Sequence, residues 1–296
     1  MTLAPDTGAA SLRRGAEALA QALPPLLVAA EHLAATVQMG GHGRRRAGPG
    51  EEFWQYRPAQ PGDAARMIDW RRSARSDAQF IRDREAQAAQ TVCLWVDDAA
   101  SMRFSGAPDR PEKTDRARLL ALALAVLMIR AGERVGLTDP AAPPRPGKAQ
   151  LMRLAGALAG PGAAADYGVP VADGLPARAR ALFVSDFLGD PAPVAAALGA
   201  AADRGVTGVL LQVLDPVEEA FPFDGRTIFE SMAGSLRHET RAAADLRDRY
   251  RDRLAQRRAH LAGLARAAGW QFSTHHTGQS AQSALLWLYA ALERAR

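Results

Sequence analysis

The sequence predicts an α/β protein built on a doubly wound, mostly parallel sheet. Three observations predict this fold class: short and nearly continuous apolar runs, helical patterns between them, and an aspartate at the end of each run. Buried parallel strands are apolar on both faces because crossover helices cover them. The aspartates are Asp97, Asp139, Asp186 and Asp215. Since the carboxyl ends of parallel strands share one edge, where such sheets bind ligands, we expect an acidic rim there.

The elements follow one another in three predicted parts. Residues 1–43 carry an alanine-rich helical pattern and a glycine-rich loop, which predict an N-terminal helical appendage. Residues 44–88 interleave arginine and aromatic residues around a turn, which predicts a small strand-rich module. Residues 89–296 hold the apolar runs and are predicted to form the α/β domain. We place its last strand at 271–273 and its helices at 113–131, 148–160, 191–204, 240–268 and 280–294.

Composition and apolar content exclude several classes of protein. A hydrophobic fraction of 48% with 23% charged residues is typical of a globular chain. The longest apolar stretch, 119–129, is shorter than the roughly 20 residues that span a bilayer, and the N-terminus lacks the apolar segment of a signal peptide. The single cysteine, Cys93, allows no intramolecular disulfide. We therefore expect a cytoplasmic protein without a transmembrane segment.

The net charge of +5 rests almost wholly on arginine, because Lys113 and Lys148 are the only lysines. This bias fits either a compositional preference for arginine or a basic contact surface. The run Arg44-Arg45-Arg46 stands out. Basic and acidic residues nevertheless alternate through 44–85, which favours a salt-bridged module over a nucleic-acid surface.

The aromatic residues of this module, Trp54, Tyr56 and Trp70, are interpreted as packing anchors rather than platforms for stacked bases. We expect Trp70 to be buried. We expect Asp69 to bond a neighbouring arginine or a backbone amide.

Oxygen-bearing side chains follow two of the predicted strands. Asp97, Asp98 and Ser101 come after the first strand, and Asp186 ends another. Carboxylate and hydroxyl oxygens suit Mg²⁺, and Asp97 and Asp186 meet if their strands flank the point where strand order reverses. The alternative is that both aspartates accept hydrogen bonds from backbone amides at the following helix starts.

The residues around these aspartates resemble a known site. Asp97, Ser101 and Met102, with Ser185 and Asp186, resemble a degenerate metal-ion-dependent adhesion site of a von Willebrand factor A-like domain. Further motifs resemble the signature of the bacterial "domain of unknown function 58" family: Tyr56-Arg57-Pro58, Pro61-Gly62-Asp63, Arg66, Ile68-Asp69-Trp70, Ser73-Ala74-Arg75, Gly136-Leu137 and Asp215-Pro216-x-Glu218. This resemblance runs from about residue 40 to the C-terminus. It implies a companion of MoxR-type AAA+ ATPases with an adaptor or chaperone-like role.

The chain departs from a complete adhesion site at two ligand positions. Ala99 lacks a hydroxyl, and residues 160–166, where such domains supply a threonine, contain none. An incomplete oxygen shell lowers the affinity for Mg²⁺. We therefore expect no cofactor beyond weak Mg²⁺ at Asp97, Ser101 and Asp186.

We expect a non-enzymatic interaction protein that docks a MoxR-type AAA+ ATPase, with other von Willebrand A-domain proteins as further partners. The predicted contacts are Asp97, Asp98, Ser101, Asp186 and Arg45. Charge complementarity between this rim and a partner would provide the recognition.

Two alternatives stay open from the sequence. In a metal-dependent hydrolase, Asp97 and Asp186 would hold the ion and Asp139 or Asp215 would activate water. In a nucleic-acid binder, Arg44 to Arg46 would contact phosphates, and affinity would fall steeply with salt.

Other catalytic groups are poorly placed. Adjacent strand residues such as His275 and His276 point to opposite faces, and Cys93 lies in an apolar run without a partner base. No phosphate-binding loop with the P-loop spacing is present in the sequence.

Overall fold

The computed structural model describes residues 25–37, 44–48, 52–60, 63–74, 78–160 and 162–294. The chain divides into two compact units, one formed by 40–90 and the other by 1–39 together with 91–296. Most of the N-terminal appendage predicted from the sequence, residues 1–24 and 38–43, lies outside the described residues.

The described residues form the following strands, α-helices and 3₁₀ turns. The strands are β1 (Arg44–Gly48), β2 (Glu52–Pro58), β3 (Phe80–Ala88), β4 (Thr91–Val96), β5 (Arg134–Asp139), β6 (Ala142–Arg145), β7 (Arg180–Ser185), β8 (Thr207–Leu214), β9 (Thr227–Glu230), β10 (Arg237–Thr240) and β11 (Gln271–His276). The α-helices are α1 (Pro25–Ala35), α2 (Trp70–Ser73), α3 (Lys113–Arg130), α4 (Lys148–Leu158), α5 (Pro191–Asp203), α6 (Pro216–Ala220), α7 (Arg247–Ala267) and α8 (Ala281–Arg294). Short 3₁₀ turns occur at Ala65–Met67, Ala100–Met102 and Ala243–Leu246.

The larger unit is built on a six-stranded sheet in the order β11-β8-β7-β4-β5-β6. All neighbours are parallel except β5 and β6. This sheet confirms the predicted fold class. From β4 the chain adds β5 on one side and later β7 on the other, so strand order reverses between β4 and β7. Asp97 and Asp186 directly follow these two strands, at the point where ligands bind in such sheets.

Helices cover both faces of the sheet, which explains why its strands are apolar throughout. Along β4, Leu94 packs in the core beneath α1, α3, α4 and α8, whereas Trp95 packs in the core beneath α5 and α7. Trp95 contacts Phe183 edge to face, with ring centroids 5.9 Å apart. The alternation of side chains along a strand therefore fills two cores at once.

Helix α1 belongs to the larger unit, whereas we predicted residues 1–43 as an appendage. Leu27, Ala30 and Ala34 form one apolar stripe at helical spacing, and all three are buried in the core that α3 shares. The small side chains of the two alanines allow α1 to pack closely on α3. Alanine-rich composition suggested only a helix, because it does not show which face is buried.

Three strands of the larger unit were not predicted. The edge strand β6 contains two prolines, which indicated a loop, but an edge strand tolerates proline because one side needs no donors. Strands β9 and β10 form an antiparallel hairpin, and β10 ends at Thr240, where the predicted helix 240–268 was expected to begin. The observed helix α7 begins at Arg247.

The unit formed by 40–90 contains an antiparallel sheet in the order β1-β3-β2, which is the strand-rich module predicted from the sequence. The guanidinium of Arg57 donates to both carboxylate oxygens of Asp63, at 2.7 and 2.8 Å. Asp69 caps α2 by accepting from the amide of Arg72 at 3.1 Å, as predicted for a backbone partner.

The prediction that Trp70 is buried was wrong. Its side chain is 59% exposed, because Trp70 is the first residue of the single-turn helix α2 and α2 buries none of its residues. Arg72 covers the ring of Tyr56, with its guanidinium carbon 4.4 Å from the ring centroid. The side chain of Trp54 lies outside the described part of the chain.

Within the described ranges, no helix combines the length and the apolar character that crossing a bilayer requires.

The packing of α1 gives a stability prediction. Leu27 is 2% exposed, so Leu27→Ala should lower the free energy of unfolding by about 2–5 kcal/mol through lost burial and a residual cavity. Leu286→Ala is the matched control, because this leucine is 45% exposed and its truncation should cost less than about 1 kcal/mol. Urea unfolding of both variants measures the difference. Equal costs would show that α1 is not part of the core.

Candidate functional site

The candidate site lies at the carboxyl edge of the sheet, where a loop crosses above β4. The amides of Ala100 and Ser101 donate to the carbonyls of Ala165 and Asp166, at 2.8 and 2.9 Å. The amide of Ala163 donates to the carbonyl of Asp98 at 3.0 Å. These backbone bonds hold the crossing loop against the 3₁₀ turn that follows β4.

Asp97 lies beneath this loop and is only 2% exposed. The amide of Ala99 donates to its Oδ1 at 2.8 Å, and the hydroxyl of Ser185 donates to its Oδ2 at 2.6 Å. Gly168 is necessary here, because a Cβ at this position would lie 2.1 Å from Oδ1. Burial raises the pKa of Asp97 to about 6 and outweighs the hydrogen bonds that stabilise its charged form.

Asp186 is bound to a buried cation, the ammonium group of Lys113. Nζ of Lys113 lies 2.9 Å from Asp186 Oδ2 and 2.6 Å from Glu218 Oε1, and the lysine side chain is 1% exposed. Burial by itself lowers the pKa of Lys113, but the two carboxylates outweigh it and raise the pKa. Lys113 therefore stays charged between its two acidic partners.

Further hydrogen bonds complete this network. The amide of Leu188 donates to Asp186 Oδ1 at 3.0 Å. The amide of Asp215 donates to Glu218 Oε2 at 2.8 Å, as part of a capping box at the start of α6. Burial raises the pKa of Glu218 despite the nearby ammonium. The network joins the first residue of α3, the end of β7 and the start of α6.

The residues present do not fit a Mg²⁺ site. Both oxygens of Asp97 and both oxygens of Asp186 already have protein donors, and the second aspartate faces the Lys113 ammonium. Across the part of the chain that the structure describes, no three His, Cys, Asp or Glu side chains are grouped to hold a metal ion. A divalent ion at Asp186 would have to displace a buried positive charge. The amides bound to both aspartates agree instead with the alternative of backbone partners.

Ser101, Asp98 and Arg45 are the other residues that we predicted to contact a partner. The Ser101 hydroxyl oxygen is buried and has no hydrogen-bond partner among the described residues. Asp98 is half-buried beside it. Arg45 belongs to the other unit, where it pairs with Gln87 on β3, and its side chain is outside the described part. The edge thus brings together Asp97, Asp98 and Ser101 after β4, with Asp186 on the neighbouring strand.

In the hydrolase alternative, Asp139 or Asp215 would activate water, and the surroundings of these two aspartates differ. Asp215 accepts from Arg110 at 2.7 Å and from the Thr277 hydroxyl at 3.0 Å. Burial acts to raise the pKa of Asp215, but hydrogen bonds from backbone amides, Arg110 and Thr277 outweigh it and lower the pKa. Asp139 is exposed and lies opposite Trp95 in the sheet.

Cys93, His275 and His276 are the remaining candidates for a nucleophile or a base. Burial raises the pKa of Cys93 to about 11, so its thiol stays protonated. Burial, helped by Arg116, lowers the pKa of His275 to about 4. His276 instead contacts Glu219 through Nε2. The two histidines therefore engage different neighbours.

Sequence reasoning missed Lys113 and the role of Glu218. Lys113 is one of only two lysines in the chain, and a lysine is unfavourable near the positive end of a helix dipole. Lys148 also begins a helix but is exposed, so this signal did not distinguish Lys113. Glu218 was recognised only as part of a family motif.

The chain is similar to a family described as of unknown function and to proteins described as uncharacterized. The sequence model of the family described as "Protein of unknown function DUF58" matches residues 55–260. "Uncharacterized protein Rv1480" of Mycobacterium tuberculosis and "Uncharacterized protein Mb1516" of Mycobacterium bovis are each 31% identical over 266 residues. Each of these matches covers 85% of this chain and 82% of the relative.

Two solved structures are more distantly similar. One is the conserved hypothetical protein BatB from Bacteroides thetaiotaomicron, with 17% identity and a TM-score of 0.41. The other is an aerotolerance-related membrane protein from Bacteroides fragilis, with 14% identity and a TM-score of 0.40. Each match covers 69% of this chain and 98% of the other.

The raised pKa of Asp97 predicts a pH-dependent stability. Between its ordinary value of 3.8 and about 6, the folded protein binds a proton that the unfolded chain releases, so stability is lost as the pH rises through this window. The resulting decrease in the free energy of unfolding should approach about 3 kcal/mol at pH 7. Asn does not titrate, so the free energy of unfolding of Asp97→Asn, relative to that of the wild type, should rise by about 2 kcal/mol between pH 4 and pH 7 in urea unfolding. If the free energies of unfolding of the two proteins changed with pH in the same way, the raised pKa of Asp97 would be contradicted.

Proposed function

This chain belongs to the DUF58 family of proteins of unknown function, and we propose that it is a non-enzymatic adaptor for a MoxR-type AAA+ ATPase. The proposed contact is the carboxyl edge of the six-stranded sheet. The identity of the partner follows from the family resemblance described above, which also implies a chaperone-like role and other von Willebrand A-domain proteins as further partners. A cytoplasmic location is part of the same proposal.

The buried network of Lys113, Asp186 and Glu218 is the observation that carries this proposal. The Lys113 ammonium group neutralises Asp186, a carboxylate that an adhesion-type site would offer to a metal, and it also pairs with Glu218. The edge is therefore preorganised without an ion or a substrate. A preorganised surface loses little conformational entropy when a partner binds, which favours docking.

The exposed acids of the edge are the groups that can contact a partner. Asp97 and Asp186 are buried and therefore position the loops. Around them, Asp98 is half-buried, and Asp109 and Asp190 are exposed. We propose that these three carboxylates provide the electrostatic complementarity to a basic surface of the ATPase.

The contacts at the edge favour docking over a metal-dependent hydrolase. Such an enzyme needs open coordination positions and a base near water. Here the protein's own donors occupy the oxygens of Asp97, Asp186 and Asp215. In the arginine module, Arg57 is paired with Asp63 and Arg72 lies over Tyr56, which engages two of the guanidinium groups that a nucleic-acid surface would need.

Charge reversal at the edge tests the docking surface. Asp98→Lys should weaken binding of the intact chain to a purified MoxR-type AAA+ ATPase from the same organism by at least about tenfold at low salt. The matched control is Asp203→Lys, which makes the same change of charge at the exposed end of α5, close to the amino end of β8. Calorimetric titration gives the affinities, and thermal unfolding checks that both variants fold.

Three outcomes contradict the proposal. They are equal weakening by the two lysine variants, loss of binding only in Arg45→Glu, and no binding of the wild type at any salt concentration. The second outcome would move the contact to the unit formed by 40–90.

A further inference from the structure

A separate cavity of about 240 Å³ opens beside the carboxyl edge. It lies among the turn after β4, the loop that crosses above it, helix α6, the β9-β10 hairpin and helix α7. Six aromatic rings line it: Phe104, Tyr167, Phe221, Phe223, Phe229 and Tyr250. Four of these rings form a contact group, with Phe221 4.7 Å from Tyr250 and 5.1 Å from Phe223 between centroids. The cavity is therefore a packed aromatic site rather than a gap between loops.

The charges that line the cavity are of one sign. Its lining includes the carboxylates of Asp166, Glu218 and Glu230 but no arginine, lysine or histidine. A lining without basic residues is unusual in a chain with 37 Lys and Arg residues against 32 Asp and Glu residues. Glu218 is compensated by Lys113. Glu230 is paired with Arg237 in the backbone register of the hairpin, but it is exposed and makes no ion pair within the described ranges. Aromatic faces and a carboxylate together attract a cation.

The hairpin that forms one wall is fixed in place. Asp166 accepts from the Ser231 hydroxyl at 3.0 Å and from the amide of Ala233 at 2.7 Å, and it also contacts Ser235. Ser101 also belongs to the lining, but its hydroxyl oxygen is buried and does not face the cavity. The hairpin therefore forms a fixed wall of the cavity.

The size of the cavity identifies the kind of occupant. Pockets for drug-sized ligands measure roughly 300–1,000 Å³, so this cavity is small for a cofactor and suits one long side chain. A guanidinium group stacks on aromatic rings and can bond a carboxylate at the same time.

We infer that this cavity binds an arginine side chain of a partner protein, held between the aromatic rings and Glu230. The inference rests on the proposed docking function and names the part of the partner that contacts the edge. It assigns the aromatic cavity a role in recognition that the buried ion network does not have.

The experiment uses a small probe and needs no ATPase. Acetyl-arginine-amide is titrated into the intact chain and followed by ligand-observed NMR, beside its neutral isostere acetyl-citrulline-amide and the apolar acetyl-leucine-amide. We expect saturable binding of the arginine derivative, with the other two at least about tenfold weaker, because neither carries a charge. Binding of the arginine derivative to Glu230→Gln should be about three- to tenfold weaker than to the wild type.

Glu239→Gln is the matched control, since Glu239 lies on the same hairpin, is absent from the cavity lining and should leave the affinity unchanged. Equal affinities for the arginine and citrulline derivatives, tighter binding of the leucine derivative, no saturable binding, or equal effects of the two glutamine variants would each overturn the inference. A failure of the chain to bind the ATPase does not affect this titration, so the two proposals fail separately.

Discussion

The buried ion network of Lys113, Asp186 and Glu218 is the constraint on which the carboxyl edge depends. It joins the start of α3, the end of β7 and the capping box of α6, which are far apart in sequence. Lys113 and Asp186 are buried and Glu218 is partly buried, which costs free energy that their mutual attraction offsets only while all partners are present. The elements at the edge are therefore held in one arrangement by charges that cannot be removed singly.

Two strained residues lie next to this network. Phe187, which follows Asp186, and Phe221, which ends α6, both have positive φ angles, of 49° and 45°. Such a backbone costs a bulky residue of order 1–3 kcal/mol and persists only where the surroundings enforce it. Phe187 packs in the core against Trp95, whereas Phe221 lines the aromatic cavity. The edge thus combines a network of ion pairs with a neighbouring group of aromatic rings.

The sequence predicted the sheet because apolar runs of strand length have few other stable arrangements, and it predicted that Asp97 and Asp186 follow strands. It could not predict which side chains fill the space between these strands. Lys113 reaches Asp186 across 73 positions, a pairing that depends on how α3 starts. The exposure of Trp70 and the packing of α1 were missed for a related reason, since aromatic or alanine content does not define a buried face.

The most direct test of this account is a double-mutant cycle of Lys113→Met, Asp186→Asn and the double variant, measured by urea unfolding. If Lys113 is the counter-cation of Asp186, Lys113→Met alone should cost about 3–5 kcal/mol because it leaves buried carboxylates uncompensated. The double variant should then be more stable than the sum of the single costs predicts, by about 1–3 kcal/mol. Additive costs, or an unchanged free energy of unfolding in Lys113→Met, would contradict the account.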